Sequence, residues 1–252
     1  MEEEFRIESI RKEALSLDPV RLESYIESID EGFPEELREL EARSLELNVP
    51  IIRRPTQRFL RFLMRMKQPK RILEIGSGVG FSALLMAHFA PEALITTIES
   101  YPPRIEKCRE HFSQYRDGSR ITFLPGDAGE LIDELDGKFD FIFLDAAKGQ
   151  YPVMSDRLLG LLSEDGMIVT DNVLQEGSLL ESHYIVPRRD RTIHKRMREY
   201  LYKLTHTPGI STEILDLGDG MALSVKTRQA DGKLMILSPR RQLKDRLYND
   251  RT

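Results

Sequence analysis

From Arg71 to Thr170 the chain alternates between short runs of β-branched and aromatic residues and longer stretches with helical spacing. Strands are expected near Ile72–Ile75, Leu94–Glu99, Ile121–Leu124, Phe139–Leu144 and Met167–Thr170, with helical segments between them. That alternation leaves few folds available. A strand, a crossover helix and a second strand return parallel to the first, and repeating the unit builds an open sheet with helices on both faces. Two further strands, Thr212–Leu217 and Met221–Thr227, flank the turn "GDG" and form a hairpin, so one strand runs antiparallel. The expected class is α/β: a doubly wound seven-stranded sheet, mostly parallel, with N-terminal helices added.

At 252 residues, 40% hydrophobic and 31% charged, the chain is long enough for one large domain with extensions. Residues 1–48 read as a helical extension: one helix near Phe5–Ser16, one with Asp18 as N-cap and Pro19 in the first turn, one after Pro34. The main domain is expected over 49–229, followed by a basic tail, 230–252, without clear periodicity. No window approaches the ~18 apolar residues of a membrane span, and the acidic start "MEEEFRIESIRKEALSL" is unlike a signal peptide. A cytoplasmic protein is expected. Cys108, the single cysteine, lies in the charged stretch "RIEKCREHF", which excludes an intrachain disulfide and a thiolate metal site and leaves it a bystander.

The net charge of −5 conceals an asymmetry. Residues 1–48 carry 15 Asp/Glu against six Lys/Arg, so the rest of the chain is net positive. The stretch Val49–Arg71 has eight basic residues and no acid, and "PRRDRTIHKRMR", Pro187–Arg198, has six and one. Such a body attracts polyanions while the N-terminal segment repels them.

The stretch "RILEIGSGVGFSALLMA" reads as strand, tight glycine turn and helix. Gly76, Gly78 and Gly80 permit a sharp turn and close approach of a ligand to a helix N-terminus, at the carboxyl ends of the strands. A dinucleotide loop has glycine at the sixth position, where this chain has Phe81. Glu99 closes the next strand, where an acid accepts two ribose hydroxyls, and Asp127 in "FLPGDA" closes the third. A glycine loop followed by acids at successive strand ends indicates a nucleoside-containing cofactor.

Asp145 ends the fourth strand in "DFIFLDAAKGQ", and Asp171 and Asn172 end the fifth in "TDN". If those strands are neighbours, two carboxylates and an amide oxygen converge on one rim. That hard, oxygen-only set suits Mg²⁺ or Ca²⁺, and a cation relieves the repulsion between the carboxylates. The plainer alternative pairs Lys148 with Asp145 and lets Asn172 cap a turn.

The ordered motifs "LEIGSGVGFSALLMA", "TIES", "GDA", "FIFLDAAKGQY" and "VTDNVL", within about residues 49–227, resemble the cation-dependent class I O-methyltransferases that use S-adenosylmethionine, the catechol and caffeoyl-CoA type. The resemblance implies a Rossmann-like fold and cofactor contacts at Ile52, Glu74, Gly76, Ser82, Glu99, Asp127, Ala128 and Asp145. It further implies Mg²⁺ or another divalent ligated by Asp145, Asp171 and Asn172, Lys148 as base beside Asp145, and a homodimer. Within the family, "DAAKGQY", "TDNVL" and the arginine-rich stretch before "GDG" most resemble bacterial tRNA 5-hydroxyuridine methyltransferases, which form 5-methoxyuridine at the wobble position. Catechol and 5-hydroxyuridine each offer two adjacent oxygens to one metal, so both substrates fit the set.

Charge patterning favours tRNA as the partner. On a helical wheel Arg188, Arg191, Lys195 and Arg198 lie opposite an apolar face of Ile193, Met197, Tyr200, Leu201 and Leu204. Arg189, together with Arg53 and Arg54 beside Ile52, extends the basic surface available to phosphates. Tyr151 and Tyr184 are candidates to stack on a flipped base. The alternative is a small catechol-type acceptor. A nicotinamide oxidoreductase shares the loop but gives Asp145, Asp171 and Asn172 no reason to coincide, and a non-catalytic RNA-binding module leaves the loop idle.

Overall fold

The computed structural model describes residues 18–46 and 49–227. Its strands are β1 (Arg71–Ile75), β2 (Leu94–Glu99), β3 (Ile121–Pro125), β4 (Phe139–Leu144), β5 (Leu162–Thr170), β6 (Ile210–Leu215) and β7 (Met221–Lys226). They form one seven-stranded sheet in the order β3-β2-β1-β4-β5-β7-β6. The first five are parallel, and β7 lies antiparallel between β5 and β6. The expected doubly wound sheet with one reversed strand is what the chain adopts. Strand order reverses at β1 and β4, so the crevice between their carboxyl ends is where such a sheet receives a ligand.

The helices are α1 (Pro19–Ile29), α2 (Glu35–Glu46), α3 (Arg54–Lys67), α4 (Phe81–Phe89), α5 (Pro102–Gln114), α6 (Ala128–Leu131), α7 (Tyr151–Leu161) and α8 (Arg191–His206). Central strands covered on both faces need apolar residues without alternation, which "RILEI" and "FIFL" supply: Ile72, Leu73, Phe141, Ile142, Phe143 and Leu144 are all buried. Helix α4, "FSALLMAHF", is apolar nearly all round and buries its first seven residues, as a helix wedged into a core does.

Register aligns the strand ends, with Ile75 opposite both Ile98 and Leu144, and Leu144 opposite Thr170. The residues that follow extend the ladder by one bond each: Gly76 N–H to Ile98 O at 2.9 Å, Asp145 N–H to Ile75 O at 3.0 Å, Asp171 N–H to Leu144 O at 3.0 Å. Main-chain bonding thus fixes the rim before any side chain contributes.

Two compact units divide between Arg38 and Glu39. In the first, Asp18 caps α1 as expected, its Oδ1 accepting Val20 N–H at 2.9 Å. In the second, Glu41 accepts a hydrogen bond from Gln57 at 2.9 Å and pairs with Arg54 at 2.6 Å, so the later turns of α2 belong with α3. The helix expected near Phe5–Ser16 and the tail 230–252 lie outside the described residues. Among those described, no helix is long and apolar enough to cross a membrane.

One expectation is corrected in α8. The helix begins at Arg191, and Arg188 and Arg189 occupy a turn closed by Asp190 N–H to Pro187 O at 2.9 Å. Arg188 therefore shares no helical face with Arg191, Lys195 and Arg198. The buried face holds His194 with Met197, Tyr200, Leu201 and Leu204, whereas Ile193 is partly exposed. His194 is tolerated inside because its Nε2 reaches Glu181 O at 3.2 Å.

Candidate active site

A cavity of about 640 Å³ opens at the reversal between β1 and β4. Ile52, Gly76, Ser82, Glu99, Ala128 and Asp145, all expected at the cofactor, line it. At Gly76, with φ +95°, a Cβ would fall 2.0 Å from Asp145 O, so no side chain fits where the loop crosses β4. Glu99 organises the loop through main-chain donors: Oε2 accepts Gly78 N–H at 2.9 Å, and Oε1 accepts Ser100 N–H at 2.9 Å and Tyr101 N–H at 2.8 Å. Arg104 approaches the same carboxylate at 3.9 Å.

Glu74 and Asp127 stand outside the cavity lining. Asp127 caps α6, its Oδ1 accepting Gly129 N–H at 2.7 Å between the lining residues Gly126 and Ala128. Glu74 is wholly buried under the glycine loop, where Thr97 donates to its Oε2 and Thr97 in turn meets Ser77. It props the loop from below, which corrects the expectation of direct contact. Burial pushes its carboxyl up to about 7 against the lowering effect of Ser82 and Thr97. Cys108 is also buried, its thiol donating to Gly78 O at 3.3 Å, and desolvation raises its pKa far above that of a free thiol.

Asp145 and Asp171 end adjacent strands, as the motif order required. Burial pushes Asp145 up to about 6 despite the opposing Lys148 and Arg104 charges. Asp171 is pushed up to about 7, first by burial and then by Asp145, against bonds from Asn172 N–H at 2.8 Å and Thr56 Oγ at 3.5 Å. Asn172, at φ +59°, turns the chain back into the cavity. Two buried carboxyls that resist ionising, with an amide next in the chain after Asp171, fit a hard divalent cation, whose charge would offset their burial. Among the described residues no group of three or more His, Cys, Asp or Glu has metal-binding geometry, so the candidate set rests on two acids and one amide.

Lys148 sits on a short 3₁₀ turn after β4, and its recorded ion pair runs to Asp219 at 3.7 Å rather than to Asp145. Asp219 is 7% exposed and accepts Glu176 N–H through its other oxygen, so it joins the lysine to the loop after "TDN".

A profile of the O-methyltransferase family matches residues 25–227. The chain belongs to the O-methyltransferase family. This methyltransferase is 32% identical over 206 residues to caffeoyl-CoA O-methyltransferase 2 of Populus trichocarpa, covering 75% of the chain and 79% of that relative. It is 29% identical over 182 residues to catechol O-methyltransferase of Niastella koreensis, covering 67% and 78%. The crystal structure of SAH-bound methyltransferase PaMTH1 of Podospora anserina superposes with a TM-score of 0.74 at 30% identity, covering 82% of the chain and 94% of that structure.

Most basic residues assigned to phosphate binding are engaged within the methyltransferase itself. Arg54 pairs with Glu41 at 2.6 Å, Arg53 with Glu176 at 3.4 Å, Arg189 with Asp190 at 3.4 Å and Lys195 with Glu199 at 3.7 Å. Arg191 donates to Val186 O at 2.9 Å and Tyr184 O at 3.1 Å. Arg188 and Arg198 have no recorded ion pair among the described residues. Tyr151 is fully buried, donating to Ala146 O at 3.0 Å and accepting Ala146 N–H at 3.1 Å, which removes it as a base-stacking platform; Tyr184 is exposed. Sequence reasoning missed Thr56, Arg104 and Asp219. The signal for Asp219 was present, since a buried acid in a hairpin turn beside strand-end acids is more than a turn former.

Proposed function

We propose that this O-methyltransferase transfers the methyl group of S-adenosylmethionine to a small acceptor with two vicinal oxygens, a catechol-type substrate, with a divalent cation as cofactor. One observation carries the reading. A single cavity runs from Glu99 and the glycine loop to Asp145 and Asn172, with Asp171 buried beside Asn172 behind the lining, so a nucleoside cradle and two of the three oxygen donors share one space. The relatives named above, one caffeoyl-CoA and one catechol enzyme, and a neighbour that binds S-adenosylhomocysteine, support it.

In this reading Glu99 accepts the ribose hydroxyls, held in place by the Gly78, Ser100 and Tyr101 amides. Asp145, Asp171 and Asn172 would hold the cation, which would lower the pKa of a substrate hydroxyl and fix the oxygen pair. Lys148 Nζ would accept the hydroxyl proton after giving up its own to solvent, and Asp219 at 3.7 Å would stabilise the ammonium so restored. The acceptor oxygen attacks the methyl carbon, the carbon–sulfur bond breaks, and a neutral thioether leaves. Holding the two reactants in line supplies much of the acceleration, up to roughly 7–11 kcal/mol in ideal cases.

A second reading keeps one observation in its favour. Arg191, Lys195 and Arg196 of α8 share a cleft with His183 and a single acid, Glu199, a basic balance that suits a phosphate backbone and thus 5-hydroxyuridine in the tRNA anticodon loop. Offering catechol and undermodified tRNA with labelled cofactor, with and without EDTA, separates the two. Catechol methylation that EDTA abolishes is the expected result; label only in tRNA would overturn the small-acceptor reading. Sedimentation at twice the chain mass of 29.1 kDa tests the homodimer that resemblance implies.

A further inference from the structure

The acceptor end of the cavity is rich in acid. Asp145 lines it, and Asp171 and Asp219 stand at the same rim, where the chain after Asp171 is bonded to the hairpin bend through Val173 N–H to Gly220 O at 2.9 Å and Leu174 N–H to Asp219 O at 3.0 Å. Among the described lining residues Arg104 is drawn to Glu99 at the ribose end, and Arg53 is the other arginine. Arg53 precedes α3 with 54% of its side chain exposed, and its recorded partner is Glu176 at 3.4 Å, itself 80% exposed. Arg54 next to it is committed to the buried Glu41. The adjacent arginines thus differ: one serves the fold and the other stands at the cavity on a weak tether.

The tether's other end is firmly placed. Gln175, Glu176 and Gly177 adopt φ of +53°, +54° and +80°, a left-handed run that ordinary residues avoid unless their surroundings impose it. Asp219 imposes it by accepting Glu176 N–H, and Leu174 N–H bonds to Asp219 O at 3.0 Å. The loop therefore fixes the Glu176 backbone while leaving the carboxylate in solvent opposite Arg53. An exposed pair of this kind stabilises by only about 0–1 kcal/mol, so an incoming anion displaces it at little cost.

We propose that Arg53 recognises a negative charge on the acceptor, so that the preferred substrate is an anionic vicinal-dioxygen compound whose carboxylate or phosphate displaces Glu176. The inference rests on the small-acceptor reading above. A guanidinium stays charged at all working pH values and binds carboxylate and phosphate with two parallel donors, whereas Glu176 meets it through one oxygen.

The test uses two acceptors of equal size, 3,4-dihydroxybenzoate and the neutral 3,4-dihydroxybenzamide, and reads the ratio of their kcat/KM values. Because it is a ratio, loss of folded enzyme in a variant cancels. In the wild type the carboxylate is favoured roughly tenfold, as one charge-assisted contact predicts. Arg53→Gln brings the ratio near unity, Arg53→Lys restores part of it, and Glu176→Gln raises it roughly two- to fivefold by removing the internal competitor. A wild-type ratio at or below one, or a ratio that Arg53→Gln leaves unchanged, overturns the inference while leaving the methyltransferase reading standing. If neither acceptor is methylated although calorimetry shows S-adenosylmethionine bound, the small-acceptor reading fails and this inference falls with it.

Discussion

The two ends of the cavity are built on opposite plans. At the glycine loop, Glu99 distributes its oxygens over three backbone amides, and the loop is complete within the chain. At the rim, Asp145 and Asp171 are carboxyls driven toward neutrality by burial, with the Asp145 charge adding to the effect on Asp171. One end is preorganised by the main chain. The other is electrostatically unfinished, and on the proposed function a cation and an acceptor would balance it. On that function, a site divided this way would bind its cofactor whether or not metal is present and commit to chemistry only when the second end is filled.

The sharpest break of the comparison is Asp171→Ala. Turnover is expected to drop roughly thousandfold, about 4 kcal/mol of barrier, while calorimetric affinity for S-adenosylmethionine stays within a factor of about two. Equal loss of both would show that the ends are not independent.

Next in size is Glu74→Gln. A carboxyl whose folded value is about 7, above its ordinary 4.5, favours the folded state at low pH. That contribution is full below pH 4.5 and is lost as pH rises through about 7. Denaturant melts should therefore show the wild type losing up to roughly 3 kcal/mol relative to Glu74→Gln between pH 4.5 and 8. Parallel curves would mean that the loop does not rest on a neutral acid.

The smallest effect belongs to Glu99→Gln, which keeps one oxygen for the amides and loses the charge. Cofactor affinity should weaken roughly tenfold by calorimetry, with kcat at saturating cofactor little changed. A fall confined to kcat would contradict the assignment of Glu99 to the cofactor end.

Much of this was legible in the sequence because local and global preferences agreed. Strands β2 and β4 begin and end where their apolar runs do, and Asp18–Pro19 announced α1. The rim acids followed from strand order alone. What escaped depended on partners distant along the chain or on backbone geometry. The start of β5, "LSEDG", lacks a strand pattern and joins the sheet through an irregular register with Asp165 at φ +59°. Tyr151 looked like a surface ring, but its hydroxyl is satisfied by Ala146, five residues back, and so needs no solvent. Arg188 fell off its predicted helix because the Pro187–Asp190 turn delays the first helical residue to Arg191. Of the basic residues read as phosphate contacts, Arg54 pairs with the buried Glu41 and Arg191 with two backbone carbonyls, partners that single-sequence charge counting does not foresee.

The reversed strand has a consequence for how such a site diversifies. Because β7 runs against β5, its first residues lie beside the last residues of β5, with Thr170 opposite Ala222. Asp219 thus reaches the rim from a hairpin bend, whereas the rim residues after β1, β4 and β5 arrive on links that must also launch the next crossover. Changing a side chain in such a bend does not re-thread a helix across the sheet. A bend that carries Asp219, the partner of Lys148, is therefore a place where selection, or a protein engineer, can retune the charge at the rim without rebuilding a crossover.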